Sequence, residues 1–168
     1  TREDVFIFKK ARNPKKEIVF NKVSVGATIN AILASVRIKG RIKLVNVALE
    51  PEVDDLIRFL NSVGCYVKRD KRSIVIEGKK RLHGSYYKIM QERIEAGTYL
   101  ILGACLGDNL KVYYKEKENI EGLINVFNDL NIDMVIKEDY LIVSKVNRLK
   151  DKEYIFDNML PDILNEFK

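Results

Sequence analysis

Glu50-Pro51-Glu52-Val53-Asp54-Asp55-Leu56-Ile57-Arg58-Phe59-Leu60-Asn61-Ser62-Val63-Gly64 is the stretch from which the rest of the chain can be read. Proline in the first turn starts a helix at little cost, because its missing N–H is one the helix leaves unbonded anyway. Val53, Leu56, Ile57, Leu60 and Val63 follow at helical spacing as one apolar stripe, and Gly64 stands where a left-handed C-cap is wanted. The pattern returns about 67 residues later. Leu123-Ile124 answers Leu56-Ile57, Asn128 answers Asn61, Ile132 answers Cys65, and Leu141 and Val143 answer Ile74 and Ile76. A period of this length marks a repeated structural unit.

Outward from these helices, β-branched and alternating runs predict strands near 17–20, 42–47, 65–68, 73–77, 86–90, 110–114, 132–137 and 140–144. Helical patterns fall near 27–38, 51–63, 94–106 and 119–130, and Gly40 and Gly107 close the first helix of each copy. Strand, helix, strand, helix, strand, strand therefore occurs twice. Two β-α-β-α-β-β units predict a mixed α/β (α+β) fold in which two helices cover one face of each four-stranded sheet. The expected boundaries are 17–78 for the first unit and 79–146 for the second. Residues 1–16 hold a strand near 5–9 that reads as the trailing strand of a further unit, and 147–168 form a tail or linker. Within that tail, Leu160-Pro161-Asp162 is the pattern expected of a short helix start.

Composition narrows the function classes. With 46% hydrophobic residues over 168 positions there is enough apolar side chain to offset ordering entropy, which excludes a disordered or low-complexity chain. No apolar run approaches the roughly 20 residues that span a bilayer and no signal pattern opens the chain, so the expectation is a cytoplasmic protein with no membrane partner. Cys65 and Cys105 are too few for a disulfide scaffold and read as core thiols, while His83, the single histidine, has no ligand spacing around it. No metal or cofactor is expected. The net charge of +6 comes with basic clusters at Lys68-Arg69, Lys71-Arg72 and Lys79-Lys80-Arg81. Together with the pairs Tyr86-Tyr87 and Tyr113-Tyr114 these support an alternative, a stand-alone RNA-binding module. The default for such clusters is a solvated face, and for such tyrosines packing across strands.

One turn carries more chemistry. Lys22-Val23-Ser24-Val25-Gly26-Ala27-Thr28 lies between a strand and a helix. Ser24 suits a helix cap, Gly26 lets a ligand approach the backbone, and free N–H groups at the positive end of the helix dipole form an anion site with Lys22 beside them. The bland reading, a capped turn and nothing more, stands next to it. Glu50 and Glu52 start the second helix, where carboxylates ordinarily serve the dipole and otherwise accept hydrogen bonds from a ligand. Arg93, at the corresponding turn of the second unit, either clamps a phosphate or pairs with Glu92 or Glu95.

Read in order, Lys22–Thr28, then Glu50-Pro51-Glu52-Val53-Asp54-Asp55-Leu56, then Ile74-Val75-Ile76-Glu77-Gly78 with Arg81-Leu82-His83-Gly84, then Arg93-Ile94-Glu95-Ala96-Gly97-Thr98, the chain resembles the UDP-N-acetylglucosamine 1-carboxyvinyltransferases, the UDP-N-acetylglucosamine enolpyruvyl transferases. The resemblance implies an inside-out α/β barrel, each domain holding three β-α-β-α-β-β units, two of which are present here. It implies a transferase of peptidoglycan synthesis and cell-wall biogenesis, which joins the 3-hydroxyl of UDP-N-acetylglucosamine to C2 of phosphoenolpyruvate and expels phosphate. It further implies that Lys22, Val23, Ser24 and Val25, with Gly26 beside them, contact the UDP moiety, with Glu50, Glu52 and Arg93 as weaker candidates. The family's catalytic loop, with its general-acid cysteine, has no counterpart among these residues, nor has the Lys-Asn pair that holds phosphoenolpyruvate or the aspartate base of the second domain. The chain is thus expected to be a fragment with no catalytic residue. Phosphoenolpyruvate would bind only in a complete enzyme, and helix surface left by the missing unit would favour self-association.

Loss of a positioned acid or base costs about 10²- to 10⁴-fold each. The chain alone should therefore release no phosphate above background from phosphoenolpyruvate plus saturating UDP-N-acetylglucosamine. Turnover that His83→Ala abolishes would show a complete site in this chain and overturn that expectation.

Overall fold

Ile42, Leu44, Val67, Ile74 and Ile76 alternate along three strands with exposed Arg41, Lys43, Lys68 and Glu77, so one face of the sheet they form is apolar and the other charged. The structure, a computed structural model, describes residues 16–107 and 109–146, and it divides into two compact units between Tyr87 and Lys88. The first unit runs β1 (Glu17–Val19), α1 (Val25–Ser35), β2 (Gly40–Val45), α2 (Pro51–Ser62), β3 (Tyr66–Asp70) and β4 (Ser73–Gly78). Its sheet has the order β1-β2-β4-β3, with β1 parallel to β2 and the other pairs antiparallel. Ile32 and Val36 at α1, and Val53, Ile57 and Leu60 of α2, close over the apolar face as one core.

The second unit runs α3 (Arg93–Leu106), β5 (Leu110–Tyr113), a 3-10 turn at Lys117–Ile120, α4 (Glu121–Asp129), β6 (Met134–Ile136) and β7 (Tyr140–Val143). Its sheet is β5-β7-β6, antiparallel throughout, with Leu100, Leu123, Phe127, Leu141 and Val143 at the centre of a separate core.

Two helix ends share one backbone geometry. At the end of α2, Gly64 has φ +91°, its N–H donates to Asn61 O at 3.1 Å, and the Cys65 N–H donates to Leu60 O at 3.0 Å. At the end of α4, Asn131 has φ +55°, its N–H donates to Asn128 O at 3.1 Å, and the Ile132 N–H donates to Phe127 O at 2.9 Å. Both are Schellman caps, one built on glycine and one on asparagine, the two residues that tolerate the left-handed region best.

Two expectations need correction. No strand forms near 86–90 among the described residues: Tyr86 is fully exposed and Ile89 is 72% exposed. An alternating pattern makes a strand only when another strand takes up its N–H and C=O groups, and among the described residues no strand pairs with the outer edge of β5. Cys105 is exposed, not a core thiol. It shares the uncovered side of α3 with Leu102 and Leu106, because that helix is apolar on more faces than one sheet can cover. The strand expected near 5–9 and the helix start at Leu160 lie outside the described residues.

Gly103 sets how closely α3 approaches its sheet, since a Cβ there would lie 2.4 Å from Val143 Cγ1 and 3.0 Å from Leu110 Cβ. Gly103→Ala should destabilise the second unit by about 1–3 kcal/mol, the usual penalty of overpacking, despite the gain in helix propensity. Urea unfolding followed at Tyr114 measures it.

Candidate functional site

The turn between β1 and α1 is where sequence and structure converge. Ser24 is extended (φ −155°, ψ 127°) and its hydroxyl oxygen accepts the Ala27 N–H at 3.2 Å, which makes it the N-cap of α1. The N–H groups of Val25 and Gly26 precede the first intrahelical donor and point out of the helix start. Lys22, Val23 and Ser24 are exposed, and a Cβ at Gly26 would meet nothing within 4 Å, so the backbone is open to a ligand. Charge marks this turn as well. α2 begins with Glu52 and Asp54, α3 with Glu95 and α4 with Glu121, whereas α1 has no acidic residue in its first turn. Its partial positive charge is left for something else to neutralise.

Glu50 stands at the N-cap of α2 but makes no side-chain capping bond, and its Oε2 is buried without a hydrogen-bond partner. Glu52, half-buried, lies two residues further on in the first turn of α2. The approach to these carboxylates is tied to the Ser24 turn, because the Ala48 N–H donates to Thr28 Oγ1 at 3.1 Å. Arg93 belongs to the other unit, where it opens α3 and is only 5% exposed.

Other sequence features resolve into structure. His83 covers the C-cap of α2: its N–H donates to Val63 O at 3.0 Å and its ring closes the space beside Gly64. Arg69 is held by Asp54 and by Ala48 O, and Arg72 donates to Val47 O. Tyr113 and Tyr140 face each other across β5 and β7 as an edge-to-face pair 5.8 Å apart. These contacts lie within the fold, and none of them gives the RNA-module alternative support. A cluster the sequence did not announce is Asp55, Arg58 and Tyr87: the Tyr87 hydroxyl donates to Asp55 Oδ1 at 2.8 Å, and Arg58 pairs with the same oxygen at 3.2 Å. Burial, then the Asp55 bond, pushes the Tyr87 phenol above its ordinary value. Tyr87 stands 32 positions from Asp55, beyond the reach of any local pattern. Burial also raises the Cys65 thiol, which disfavours its thiolate form.

In the second unit a groove of about 530 Å³ runs beside the open edge of β5, lined by Gln91, Glu92, Glu95, Tyr99 and Tyr114 among others. In the first unit that edge position is filled, with the Lys43 N–H bonded to Lys16 O and the Phe20 N–H to Val45 O. At β5 the Lys115 N–H is met by Gln91 Oε1 at 2.6 Å. Burial pushes the Tyr114 phenol up to about 12. No cluster of histidine, cysteine, aspartate and glutamate among the described residues fits a metal ion, and no helix among them is long and apolar enough to cross a membrane.

The family model for EPSP synthase (3-phosphoshikimate 1-carboxyvinyltransferase) matches residues 6–164. The chain belongs to the EPSP synthase family. It is 37% identical over 134 residues to UDP-N-acetylglucosamine 1-carboxyvinyltransferase 2 of Streptococcus mutans serotype c, a match that covers 79% of this chain and 32% of that protein. A UDP-N-acetylglucosamine 1-carboxyvinyltransferase of Streptococcus pneumoniae serotype 2 matches at the same 37%, 79% and 32%. The chain thus spans about a third of the length of the curated relatives it matches. Among solved structures, the enolpyruvyl transferase NikO from Streptomyces tendae superposes with a TM-score of 0.65 at 18% identity, covering 75% of this chain and 31% of that one. An EPSP synthase from Acinetobacter baumannii gives 0.60 at 17% identity, covering 90% and 36%. The fold of this family member is therefore the mixed α/β fold of enolpyruvyl transferases.

Gly26→Ala separates stability from ligand access at the turn. Alanine has room there and favours the helix, so the variant should unfold at a higher denaturant concentration, by up to about 1 kcal/mol. The same methyl group would stand where an anion approaches the backbone, so anion binding should weaken while stability rises.

Proposed function

We propose that this chain carries part of the UDP-N-acetylglucosamine site of an enolpyruvyl transferase, with the Lys22–Gly26 turn receiving the UDP moiety. The observation that carries this reading is the α1 start: two outward N–H groups, an exposed lysine beside them and no acid to compete, in a chain 37% identical to named UDP-N-acetylglucosamine 1-carboxyvinyltransferases. The pyrophosphate would sit against the Val25 and Gly26 N–H groups, with Lys22 as a mobile counter-charge. Glu50, whose Oε2 is buried without a hydrogen-bond partner, would accept from a sugar or base N–H or hydroxyl, with Glu52 as a weaker candidate beside it. Arg93, buried at the start of α3, is a weaker candidate.

The complete enzyme would transfer enolpyruvate from phosphoenolpyruvate to the sugar 3-hydroxyl in the cytoplasm, for peptidoglycan synthesis, in an inside-out barrel of three β-α-β-α-β-β units per domain. Residues 17–78 and 79–146 would supply two of those units, 1–16 the trailing strand of the third, and 147–168 a linker. Tyr99, Leu102 and Leu106, all more than two-fifths exposed on α3, supply apolar surface for a neighbouring unit or for self-association.

A titration with UDP-N-acetylglucosamine followed by backbone amide NMR tests the reading. Shifts should concentrate at Val23–Ala27, and affinity should be weak, because part of a site supplies part of the contacts against the full association entropy. Lys22→Ala should weaken binding by roughly two- to fivefold, the range of an exposed charge contact. Shifts confined to Leu110–Tyr113 would place the ligand elsewhere and overturn the assignment.

A further inference from the structure

We infer that Thr28 and Asn46, whose side chains bond the backbone at the two ends of the Lys22–Gly26 turn, are positioning residues that hold that turn in its binding geometry. The inference rests on the reading of that turn as the UDP site. The turn leaves β1 at Phe20 and enters α1 at Ser24; the segment after β2 grips the Phe20 carbonyl directly and the Ser24 carbonyl through Thr28. Asn46 Nδ2 donates to Phe20 O at 2.8 Å. Thr28 Oγ1 donates to Ser24 O at 2.8 Å and accepts the Ala48 N–H at 3.1 Å. Asn46 and Ala48 are two residues apart just beyond β2, so one short stretch of backbone anchors both feet of the turn.

The hydrogen-bond inventory leaves little slack. A threonine hydroxyl has one proton and two lone pairs; here the proton is spent on Ser24 O and a lone pair on Ala48 N–H, at a residue with no exposed surface. Asn46 has φ +61°, a left-handed conformation that asparagine tolerates and most residues avoid, and this conformation carries its amide back over Phe20. Between the two anchors, Asn21, Lys22 and Val23 are exposed. Side chains that reach only the feet of the turn affect a ligand through the turn's shape. Their contribution is preorganisation: the N–H groups of Val25 and Gly26 are already aimed, so that binding does not bear the cost of ordering them.

The experiment uses the full chain, UDP as the probe, and three variants: Thr28→Val, Thr28→Ser and Asn46→Gly. Thr28→Val keeps the shape and removes both hydroxyl bonds, Thr28→Ser keeps them, and Asn46→Gly keeps the positive φ while removing the amide. Affinity is measured under conditions where far-UV circular dichroism shows each variant folded, together with hydrogen exchange at the Ala27 and Ala48 amides. Thr28→Val and Asn46→Gly should each weaken UDP binding by roughly three- to tenfold, the worth of one net hydrogen bond, and Thr28→Ser should restore it to within about twofold. Exchange at Ala27 should quicken in both weakened variants. A purely structural role would lower the unfolding temperature and leave the affinity of the folded protein unchanged, and that result would overturn the inference. Should Thr28→Val fail to fold, Asn46→Gly alone decides on the same two readouts. Should the unaltered chain not bind UDP, the functional reading fails, and exchange at Ala27 then decides the positioning claim by itself: an unchanged rate in both variants rejects it.

Discussion

α1 and α3 carry apolar side chains around most of their circumference, and a single sheet can cover only one side of a helix. The consequences run through both units. α2 and α4 are amphipathic, with Val53, Ile57 and Leu60, or Leu123 and Phe127, turned inwards, and they finish their burial within their own unit. α1 and α3 do not. Leu33 remains 46% exposed on α1, and Tyr99, Leu102 and Leu106 remain 49%, 44% and 73% exposed on α3. At about 25 cal/mol per Å² of apolar surface, that exposure is a standing driving force for further contact. It explains why Cys105 is wet in a helix whose composition reads as core.

The two units are alike where the chain must turn and differ where neighbours matter. The caps of α2 and α4 share one hydrogen-bond pattern although Gly64 in one is Asn131 in the other, because the backbone requirement is a left-handed φ and both residues meet it. The edges of the sheets differ. In the first unit β1 occupies the edge of β2, with Ile18 and Phe20 against the core; in the second unit the corresponding place is the groove beside β5. An unpaired strand edge is a row of unanswered donors and acceptors, and this one is blunted by Gln91 at Lys115 and by the Lys111 side chain, which lies 3.8 Å from the Tyr140 ring centre.

What the sequence disclosed divides along the range of the interactions involved. α2 was legible to within one residue because proline, stripe and glycine are local signals. Ser24 was legible as a cap for the same reason. The stretch near 86–90 misled because alternation reports what a segment is able to do, while strand formation depends on a partner whose presence no local pattern records. Thr28, Asn46 and Tyr87 went unnoticed as contacts because their partners lie 20, 26 and 32 positions away. A threonine one turn into a helix and an asparagine after a strand are ordinary in sequence; only the fold makes them two ends of one clamp.

The strongest argument that the Lys22–Gly26 turn is more than a connection lies in what local stability would have preferred there. An acidic residue in the first turn of α1 would gain about 0.3–1 kcal/mol from the helix dipole, as the starts of α2, α3 and α4 do. Alanine in place of Gly26 would gain up to about 1 kcal/mol more, with open space to receive it. Both gains are forgone at adjacent positions, yet the same turn is anchored by two buried or half-buried side chains at its feet. A turn of no consequence would be expected to relax towards local stability and to need no such anchoring. Rigid support beneath a surface kept bare, uncharged by acids and open at the backbone is what the proposed recognition of an anion would require.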